Sequence, residues 1–417
     1  MKLLMITGLG SAKDLASGRR GAFYNTLEEF SKYWTRIDII CPRVKNINSG
    51  NPKSEPLNPK QIINSKLQTK ILFNNVYLHI SPWPLVLHLV FFIKKALEIY
   101  KEQRFNLMTV HDFPPFYNGI AARILWQFIK IPYVLEIFHI PGHPRAVNFK
   151  ESVYKVFFEL FIKFDASKAK AVRVMNYQIA DFLVNNGVPK EKIVYIPAIY
   201  IDLDVFRPMN LPKEYDLIFI GRLEKNKGID LFIEAVEKLK CKAIIVGDGP
   251  IVGSLKSRVK SLKLENNVIF HGWAKDSHEI AELINKSKIL VMTSYNEGGP
   301  RVVVEALACG VPVLATPVGI VPDLLKNGPD FSSSTESRDR KIEDPRFASH
   351  ALHEVNRDLG GEIIDWSVED IALKVKNLLS DSDRHQKYSQ DGPEIAKQFE
   401  KKAAIKNYAE KIKQLVN

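Results

Sequence analysis

The sequence predicts an α/β protein with two Rossmann-like domains, and three observations support this fold class. A chain of 417 residues is long for a single core, because domains usually hold about 100–200 residues. Short β-branched runs alternate with helical patterns along most of the chain, which is typical of βαβ units and parallel sheets. The alternation breaks in a polar stretch that contains Pro208 and Pro212, and it then restarts.

These changes of pattern predict the domain boundaries. We expect an N-terminal domain over residues 1–200, a linker over 201–214 and a C-terminal domain over 215–392. Residues 328–360 are polar and poorly periodic, which indicates an insertion in the second domain. The tail 393–417 reads as a charged amphipathic helix that returns to the N-terminal domain. Ligands of open parallel sheets bind outside the carboxyl ends of the strands, so we expect the site in a cleft that the two domains face.

The predicted strands of the N-terminal domain are short apolar runs rich in β-branched residues, bounded by turn-forming or charged residues. They cover Lys2–Gly8, Arg36–Pro42, Val76–Pro82, Leu107–Asp112, Pro132–His139, Ala169–Asn176 and Ile193–Ala198. Longer segments with helical periodicity lie between them. These cover Gly21–Trp34, Leu85–Glu102 and Phe116–Lys130.

The C-terminal domain repeats the same alternation of strands and helices. Its predicted strands are Asp216–Gly221, Lys242–Gly247, Asn267–Gly272, Lys288–Thr293 and Val311–Thr316. Its predicted helices are Gly228–Lys240, Ile251–Leu264 and Ser277–Lys286. Helices of this length between consecutive strands can form the crossover connections that a parallel sheet requires.

Composition excludes several classes of protein. A hydrophobic content of 46% and a charged content of 25% are ordinary globular values, unlike those of disordered or fibrous chains. The widely separated Cys41, Cys241 and Cys309 give neither a metal spacing nor a disulfide framework. The N-terminal segment Lys2–Gly8 lacks the features of a signal peptide, and no run reaches the roughly 18 apolar residues of a membrane-spanning helix. We therefore expect a cytoplasmic protein.

The net charge of +12, from 59 Lys and Arg against 47 Asp and Glu, favours anionic partners such as nucleotide phosphates, nucleic acid or an acidic membrane surface. A solvated basic surface is the alternative explanation. Aromatic and basic residues adjoin at Trp83, at Phe91–Phe92 with Lys94–Lys95, and at Phe157–Phe158 near Lys163. A basic amphipathic helix can lie on the inner face of an anionic membrane, whereas packing of these aromatic residues in the core is the alternative.

The most informative segment is Glu297–Gly310, which reads EGGPRVVVEALACG and follows a strand predicted to end at Thr293. Gly298–Gly299 allow the backbone to approach a ligand closely. Pro300 suits the first position of a helix, and the free N–H groups of such a helix would face an anion. The run Val302–Val304 suits a strand equally well, and a surface turn before a core helix is the alternative explanation.

Two other strand-end loops point to phosphate binding. The first, Gly221–Gly228, contains Arg222 and Lys227, which could both reach a pyrophosphate, arginine through a bidentate fork and lysine as a point charge. The second, Val246–Pro250, is a glycine turn of a kind common in α/β folds. Taken singly, the first loop is better explained as a solvated turn, and the second is weak evidence for a site.

Together these segments resemble a known family. The patterns Gly-Arg-Leu-x-x-x-Lys-Gly, Val-Gly-Asp-Gly-Pro and Glu-x7-Glu-Ala-x-Ala-Cys-Gly-x-Pro-Val occur in this order, with His-Gly-Trp at residues 271–273. They resemble the group-1 family of retaining glycosyltransferases with GT-B architecture, most strongly from about Tyr215 to Asp323. The resemblance implies transfer of a hexose-type sugar from a nucleotide-diphosphate sugar to a glycan or lipid-linked glycan. It implies no metal and no cofactor beyond the donor, which is a co-substrate.

The resemblance also implies residue roles. Glu297 would hydrogen-bond the donor sugar, and Glu305 would accept both ribose hydroxyls, a role that suits a carboxylate. Arg222 and Lys227 would bind the pyrophosphate and stabilise the leaving nucleotide, as a metal does elsewhere. Backbone contacts to sugar, phosphate and base are implied for Gly298, Gly299, Pro300, Arg301, Gly272 and Trp273.

In the N-terminal domain, the resemblance points to residues that follow strands. His139 matches the family histidine that faces the donor sugar and is the fourth expected catalytic residue, with Arg222, Lys227 and Glu297. His111 and Asp112 would touch the acceptor or support His139. Gly18 and Gly21 correspond to the glycine loop beside the acceptor. A structural role is the alternative for each of these residues.

Two other functions compete with this interpretation. A nicotinamide dehydrogenase requires Gly-x-Gly-x-x-Gly after a strand, but Lys13 stands at the last glycine position after Gly8 and Gly10. A noncatalytic basic scaffold that binds nucleotides or nucleic acid would not require the combination of Glu297, Glu305, Arg222 and Lys227. The transferase interpretation therefore comes first, and it involves no nucleic-acid partner.

Overall fold

The computed structural model describes residues 1–16, 22–43, 63–64, 69–325 and 360–416. The chain divides into two compact units. The first contains Met1–Ile140, Ser152–Ala198 and Lys402–Asn417, and the second contains Pro141–Glu151 and Ile199–Lys401.

The first unit is built on one sheet. Its strands are β1 (Lys2–Ile6), β2 (Arg36–Cys41), β3 (Ile63–Asn64), β4 (Thr69–Leu72), β5 (Val76–Ile80), β6 (Leu107–His111), β7 (Tyr133–Ile137), β8 (Ala171–Val174) and β9 (Ile193–Tyr195). Over the described residues their order is β3-β4-β5-β2-β1-β6-β7-β8-β9. Strand β4 pairs antiparallel with both β3 and β5 at one edge, and the remaining neighbours, from β5 across β2, β1, β6, β7 and β8 to β9, pair in parallel.

Helices cover this sheet because parallel strands must be buried on both faces. They are α1 (Leu9–Ala16), α2 (Ala22–Ser31), α3 (His88–Gln103), α4 (Tyr117–Ile129), α5 (Phe149–Ala166, whose first three residues belong to the second unit) and α6 (Tyr177–Asn185). Short 3₁₀ turns at Leu85–Leu87 and Lys190–Lys192 precede α3 and β9. The predicted helix Leu85–Glu102 therefore starts with a 3₁₀ turn.

The second unit has a fully parallel sheet. Its strands are β10 (Tyr215–Ile220), β11 (Ala243–Val246), β12 (Val268–Gly272), β13 (Ser287–Met292), β14 (Val313–Ala315) and β15 (Gly361–Ile363). Their order across the described residues is β12-β11-β10-β13-β14-β15. This is the Rossmann order, in which the direction of winding reverses between β10 and β13. The loops after these two strands are therefore the expected place for a ligand.

The helices of the second unit are α7 (Ile229–Leu239), α8 (Val252–Ser261), α9 (Ser277–Asn285), α10 (Arg301–Ala308), α11 (Val321–Leu324), α12 (Val368–Ser380) and α13 (Ser382–Ala396), with 3₁₀ turns at Lys225–Lys227 and Lys397–Phe399. The ambiguous run Val302–Val304 lies in α10. Pro300 precedes this helix as its N-cap rather than occupying its first position, which corrects our expectation.

Apolar side chains cover both faces of the second sheet. On β10, Leu217 and Phe219 pack into one core cluster, whereas Ile218 packs into the other. Val303 and Val304 of α10 join the second cluster and are fully buried. Tertiary burial of this apolar face explains why three consecutive β-branched residues form a helix, since packing overrides their modest helix propensity.

The C-terminal tail differs from the single helix expected over residues 393–417. Helix α13 continues past Pro393 and ends at Ala396, and a separate helix, α14 (Lys401–Gln414), begins after Glu400. The break occurs because the chain pairs with Ile201: the Ile201 N–H donates to Phe399 O at 2.8 Å, and the Lys401 N–H donates to Ile201 O at 2.9 Å.

The predicted insertion 328–360 lies almost entirely outside the described residues. Within the described ranges, none of the helices combines the length and the apolar character that crossing a membrane requires.

Candidate functional site

The loops after β10 and β13 meet at the point where the strand order reverses. The Lys227 Nζ forms an ion pair with Glu297 Oε1, and both side chains are largely buried. Ser294 Oγ donates a second hydrogen bond to Glu297 Oε1 at 3.0 Å. The structure thus brings together two of the predicted catalytic side chains, which lie 70 residues apart in the sequence.

Backbone contacts hold these two loops against each other. The Tyr295 N–H donates to Asn226 O at 2.8 Å, and Thr293 Oγ1 lies 3.0 Å from Lys227 O and 2.8 Å from Gly228 O. Gly228 has a φ of +62°, and a Cβ there would lie 2.2 Å from Thr293 O. Only glycine permits this approach, so the separation of Lys227 and Glu297 is fixed by the main chain.

Arg222 follows β10 after Gly221 and is exposed to solvent. Its Nη1 pairs with Glu224 Oε1 at 3.1 Å, and an exposed pair of this kind contributes little stability. A close glycine contact orients the loop, because a Cβ on Gly247 would lie 1.9 Å from Gly221 O. Because the Arg222–Glu224 pair is exposed and weak, the guanidinium can exchange Glu224 for a ligand anion with little loss of free energy.

The Gly-Gly-Pro turn leads into helix α10. Gly319, with a φ of +59°, packs against this turn, since a Cβ at residue 319 would lie 2.5 Å from Gly298 O. Gly299 and Pro300 complete the turn, and α10 begins at Arg301. The N–H groups of the first helical turn and the helix dipole favour an anion at this end.

Glu305 lies on the buried side of α10 and is only 8% exposed. Arg301 Nη2 approaches its Oε1 at 3.3 Å. Burial raises the pKa of the Glu305 carboxyl, and the Arg301 charge opposes that shift. The Glu305 carboxylate is thus a buried hydrogen-bond acceptor about one helical turn after the Gly-Gly-Pro loop. A carboxylate can accept hydrogen bonds from a pair of ligand hydroxyls.

Strand β12 ends at the predicted base contact. The Gly247 N–H donates to Gly272 O at 2.8 Å, which links the turn after β11 to this strand end. Gly272 has a φ of +79°, and a Cβ there would meet no atom within 4 Å. Trp273 beside it is exposed. Contact of Gly272 and Trp273 with a base stays a prediction.

In the first unit, His111 and His139 lie near each other where the neighbouring strands β6 and β7 end. The His111 ring packs against the Phe138 ring at a tilt of 37°, with ring centroids 4.5 Å apart. Burial lowers the pKa of His111 to about 4; Arg173 and His139 contribute in the same direction, whereas Glu136 opposes them. The His111 ring is therefore neutral at physiological pH. It lies beside the histidine that the resemblance implies in catalysis.

A buried polar network below these histidines was not predicted. Arg173 Nη1 pairs with Glu136 Oε1 at 2.7 Å, and its Nε donates to Ile196 O at 3.0 Å. Tyr408 of α14 donates to the same carboxylate oxygen at 2.6 Å, and the Arg173 guanidinium lies 3.7 Å from the Tyr408 ring centroid. The network fixes α14 to β7 and β8. The sequence signal that could have revealed this network is Arg173, an arginine within an otherwise apolar strand.

Asn296 is a further residue that the motifs did not single out. Its Nδ2 donates to Arg145 O and to Glu151 Oε2, both at 3.1 Å. The acceptors lie in the segment 141–151, which belongs to the second unit. Asn296 directly precedes Glu297, so these bonds help to fix the backbone that carries the Glu297 carboxylate.

Asp112 directly follows β6 and is buried, and its Oδ1 accepts the N–H of Gly119 in the first turn of α4 at 3.0 Å. A Cβ on Gly119 would lie 2.5 Å from Asp165 Oδ2 and 3.0 Å from Asp112 Oδ2, so the two carboxyl groups face the same glycine. Burial raises the pKa of both groups, and the Asp112 charge adds to the shift at Asp165. Contact of Asp112 with an acceptor stays a prediction, and the expected Gly18 and Gly21 lie outside the described residues.

This carboxyl pair predicts a pH dependence of stability. A carboxyl whose folded pKa is raised stabilises the fold fully below its unfolded pKa, and this contribution is lost as the pH rises towards the folded value. We expect the free energy of unfolding of the wild type, measured by urea denaturation, to fall more steeply than that of Asp165→Asn between about pH 5 and about pH 8, by up to about 1.4 kcal/mol per pH unit for each proton involved. Equal slopes for the two proteins would show that the pair is not protonated in the native state.

Solved structures with a similar fold identify the architecture. Sucrose-phosphate synthase from Thermosynechococcus elongatus is similar with a TM-score of 0.71 and 16% identity, covering 100% of this chain and 99% of that chain. HepE of Anabaena, in complex with UDP and glucose, is similar with a TM-score of 0.67 and 16% identity, covering 99% of this chain and 100% of that chain. The predicted fold class is confirmed: the chain has the GT-B glycosyltransferase fold.

Sequence comparison places the similarity among glycosyltransferases. Residues 204–335 match the family model described as glycosyl transferases group 1. TuaC of Bacillus subtilis (strain 168), a glycosyltransferase whose name connects it with teichuronic acid biosynthesis, is 27% identical over 349 residues, covering 78% of this chain and 83% of that protein. The comparisons therefore identify a glycosyltransferase whose residues 204–335 match group 1, as the motifs predicted.

Proposed function

We propose that this protein transfers a hexose-type sugar, with retention of anomeric configuration, from a nucleotide-diphosphate sugar to a glycan or lipid-linked glycan. The observation that carries the proposal is the junction of Lys227 and Glu297 at the carboxyl ends of β10 and β13. A cation for the phosphate and a carboxylate for the sugar hydroxyls stand side by side there. The UDP complex of the structurally similar HepE supports a nucleotide-sugar donor.

In the proposed complex, Glu305 accepts the ribose hydroxyls and the N-terminal turn of α10 binds the distal phosphate. Lys227 exchanges its ion pair with Glu297 for the pyrophosphate, and Arg222 leaves Glu224 to do the same. Glu297 then becomes available to the sugar hydroxyls. Donor binding thus gives both cations, Lys227 and Arg222, a phosphate partner in place of a carboxylate, so neither cation is left unpaired.

The proposed chemistry is a front-side displacement. The bond between the anomeric carbon and the phosphate oxygen breaks, the acceptor oxygen bonds to the same face of that carbon, and the departing phosphate takes the acceptor's proton. Lys227 and Arg222 stabilise the charge that develops on the phosphate. Because these two side chains supply that positive charge, we propose that the reaction needs no metal. His139 contributes the catalytic imidazole that the family resemblance implies.

One experiment tests the reaction type and its metal requirement together. The purified protein is supplied with UDP-, GDP- and ADP-sugars and a lipid-extracted acceptor mixture, with and without EDTA, and the product anomer is assigned by NMR. We expect the donor's anomeric configuration in the product and equal rates with EDTA. An inverted product would contradict retention. Loss of activity in EDTA that Mg²⁺ or Mn²⁺ restores would contradict metal independence.

A further inference from the structure

Helix α5 has an apolar face that no part of the described chain covers. Its buried side chains include Phe158 and Ile162, which pack into the first unit. The opposite side presents large apolar residues that are well exposed to solvent, spaced so that they form one continuous stripe along the helix. This outer stripe consists of Val156, Phe157, Leu160, Phe161 and Phe164.

A surface helix normally pairs an apolar inner stripe with a polar outer face. Helix α5 is apolar on both its inner and its outer face. Leu160, in the middle of the outer stripe, is 67% exposed. Contiguous exposed apolar patches of this kind mark interaction sites. Among the other aromatic candidates from the sequence, Phe91 and Phe92 of α3 are buried and take no part in such a surface, and Trp83 is partly buried.

The stripe continues onto α4 through a cluster of cations. The Arg123 guanidinium lies 5.2 Å from the Phe164 ring centroid and 5.8 Å from that of Trp126. Lys130 Nζ and Lys168 Nζ lie 4.0 Å and 5.5 Å from the same Trp126 ring. Aromatic rings bordered by lysines and an arginine are typical of surfaces whose partner is both apolar and negatively charged.

Charge decides between the candidate occupants. A second copy of the chain would place the same cations opposite one another, which costs free energy. Glu159 is the acidic residue within the stripe region of α5, and Lys155 lies 4.0 Å from its carboxylate. Arg123, Lys163 and Lys168 thus form a positive border around an apolar centre, which complements acidic headgroups above acyl chains.

We propose that α5 and the adjoining end of α4 form a peripheral docking surface for an anionic lipid bilayer. The apolar stripe enters the boundary between headgroups and acyl chains, and the lysines remain at the level of the headgroups. The proposal rests on the proposed lipid-linked acceptor only for its biological purpose. Vesicle binding itself requires neither donor nor acceptor.

Flotation with vesicles of phosphatidylcholine plus phosphatidylglycerol, and of phosphatidylcholine alone, tests the surface. We expect binding to the anionic vesicles, reduced about tenfold or more in Leu160→Glu because an apolar anchor is replaced by a like charge. The matched control is Leu373→Glu on α12, an equivalent change at a leucine that is 57% exposed; it should bind like the wild type. Binding to anionic vesicles should fall at least about fivefold in the double variant Lys130→Glu/Lys168→Glu. It should not fall in Lys260→Glu, which changes a lysine on α8.

Absence of wild-type binding to anionic vesicles would overturn the proposal, as would equal losses in Leu160→Glu and Leu373→Glu. A dimer in sedimentation velocity that Leu160→Glu dissociates, without vesicle binding, would assign the stripe to a second copy instead. Thermal shift with UDP, measured on the same proteins without vesicles, checks folding and donor binding. If vesicle binding fails while sugar transfer is intact, only the docking proposal is refuted. If vesicle binding depends on the stripe but no sugar is transferred, only the proposed function is refuted.

Discussion

Lys227→Ala is expected to lower kcat/KM for sugar transfer about a hundredfold to a thousandfold, the cost typical of removing one group that stabilises charge in a transition state. The Lys227 Nζ lies where the pyrophosphate is proposed to bind, and in the unliganded protein it pairs with Glu297. The variant loses the cation that the departing phosphate needs. The measurement is steady-state kinetics with a saturating acceptor.

The matched control is Lys225→Ala, which removes an exposed lysine from the same 3₁₀ turn. We expect this variant to retain activity within about twofold, because its charge is solvated. If the two alanine variants have similar activity, Lys227 does not stabilise the leaving group. Circular dichroism of both proteins excludes unfolding as the cause of any loss.

Glu305→Ala and Glu297→Ala are expected to divide donor recognition into two parts. Glu305→Ala should weaken UDP binding about tenfold to a hundredfold, because hydrogen bonds to a charged acceptor contribute about 1.5–3 kcal/mol each. Glu297→Ala should bind UDP like the wild type while losing the contacts to the sugar. Calorimetric titration with UDP and with a UDP-sugar measures both effects.

Two further variants support that comparison. Glu305→Gln keeps the size of the buried side chain and one acceptor oxygen, so its UDP affinity should lie between those of the wild type and Glu305→Ala. Glu265→Ala removes an exposed carboxylate before β12 and should leave UDP affinity unchanged. Equal weakening of UDP binding in Glu297→Ala and Glu305→Ala would contradict the division of roles.

Much of the second unit could be predicted because its signals are local. Each strand is a short apolar run, and each motif follows a strand directly, so the Rossmann order alone places the loops after β10 and β13 side by side. This is how Lys227 and Glu297 could be expected at one site from the sequence. The family resemblance supplied their roles, and residues 204–335, which contain both side chains, match the group-1 model.

What the sequence did not predict depends on contacts between distant residues. Tyr408 and Glu136 are 272 positions apart, and no periodicity connects them. The end of α13 is set by pairing with Ile201 rather than by a local helix-stop signal. The pattern of α5, apolar on two faces, gives no indication of which face packs inward. In each case the deciding free energy comes from tertiary burial, which a local pattern does not contain.

The central claim is that the second unit binds a nucleotide-sugar through the loops after β10 and β13 and through α10. The most direct test is a crystal structure with a bound UDP-, GDP- or ADP-sugar. We expect the ribose hydroxyls on Glu305, the pyrophosphate against Lys227, Arg222 and the first turn of α10, and the sugar on Glu297, with the Lys227–Glu297 ion pair broken. A nucleotide bound elsewhere, or bound there with the ribose away from Glu305 and that ion pair intact, would contradict the account.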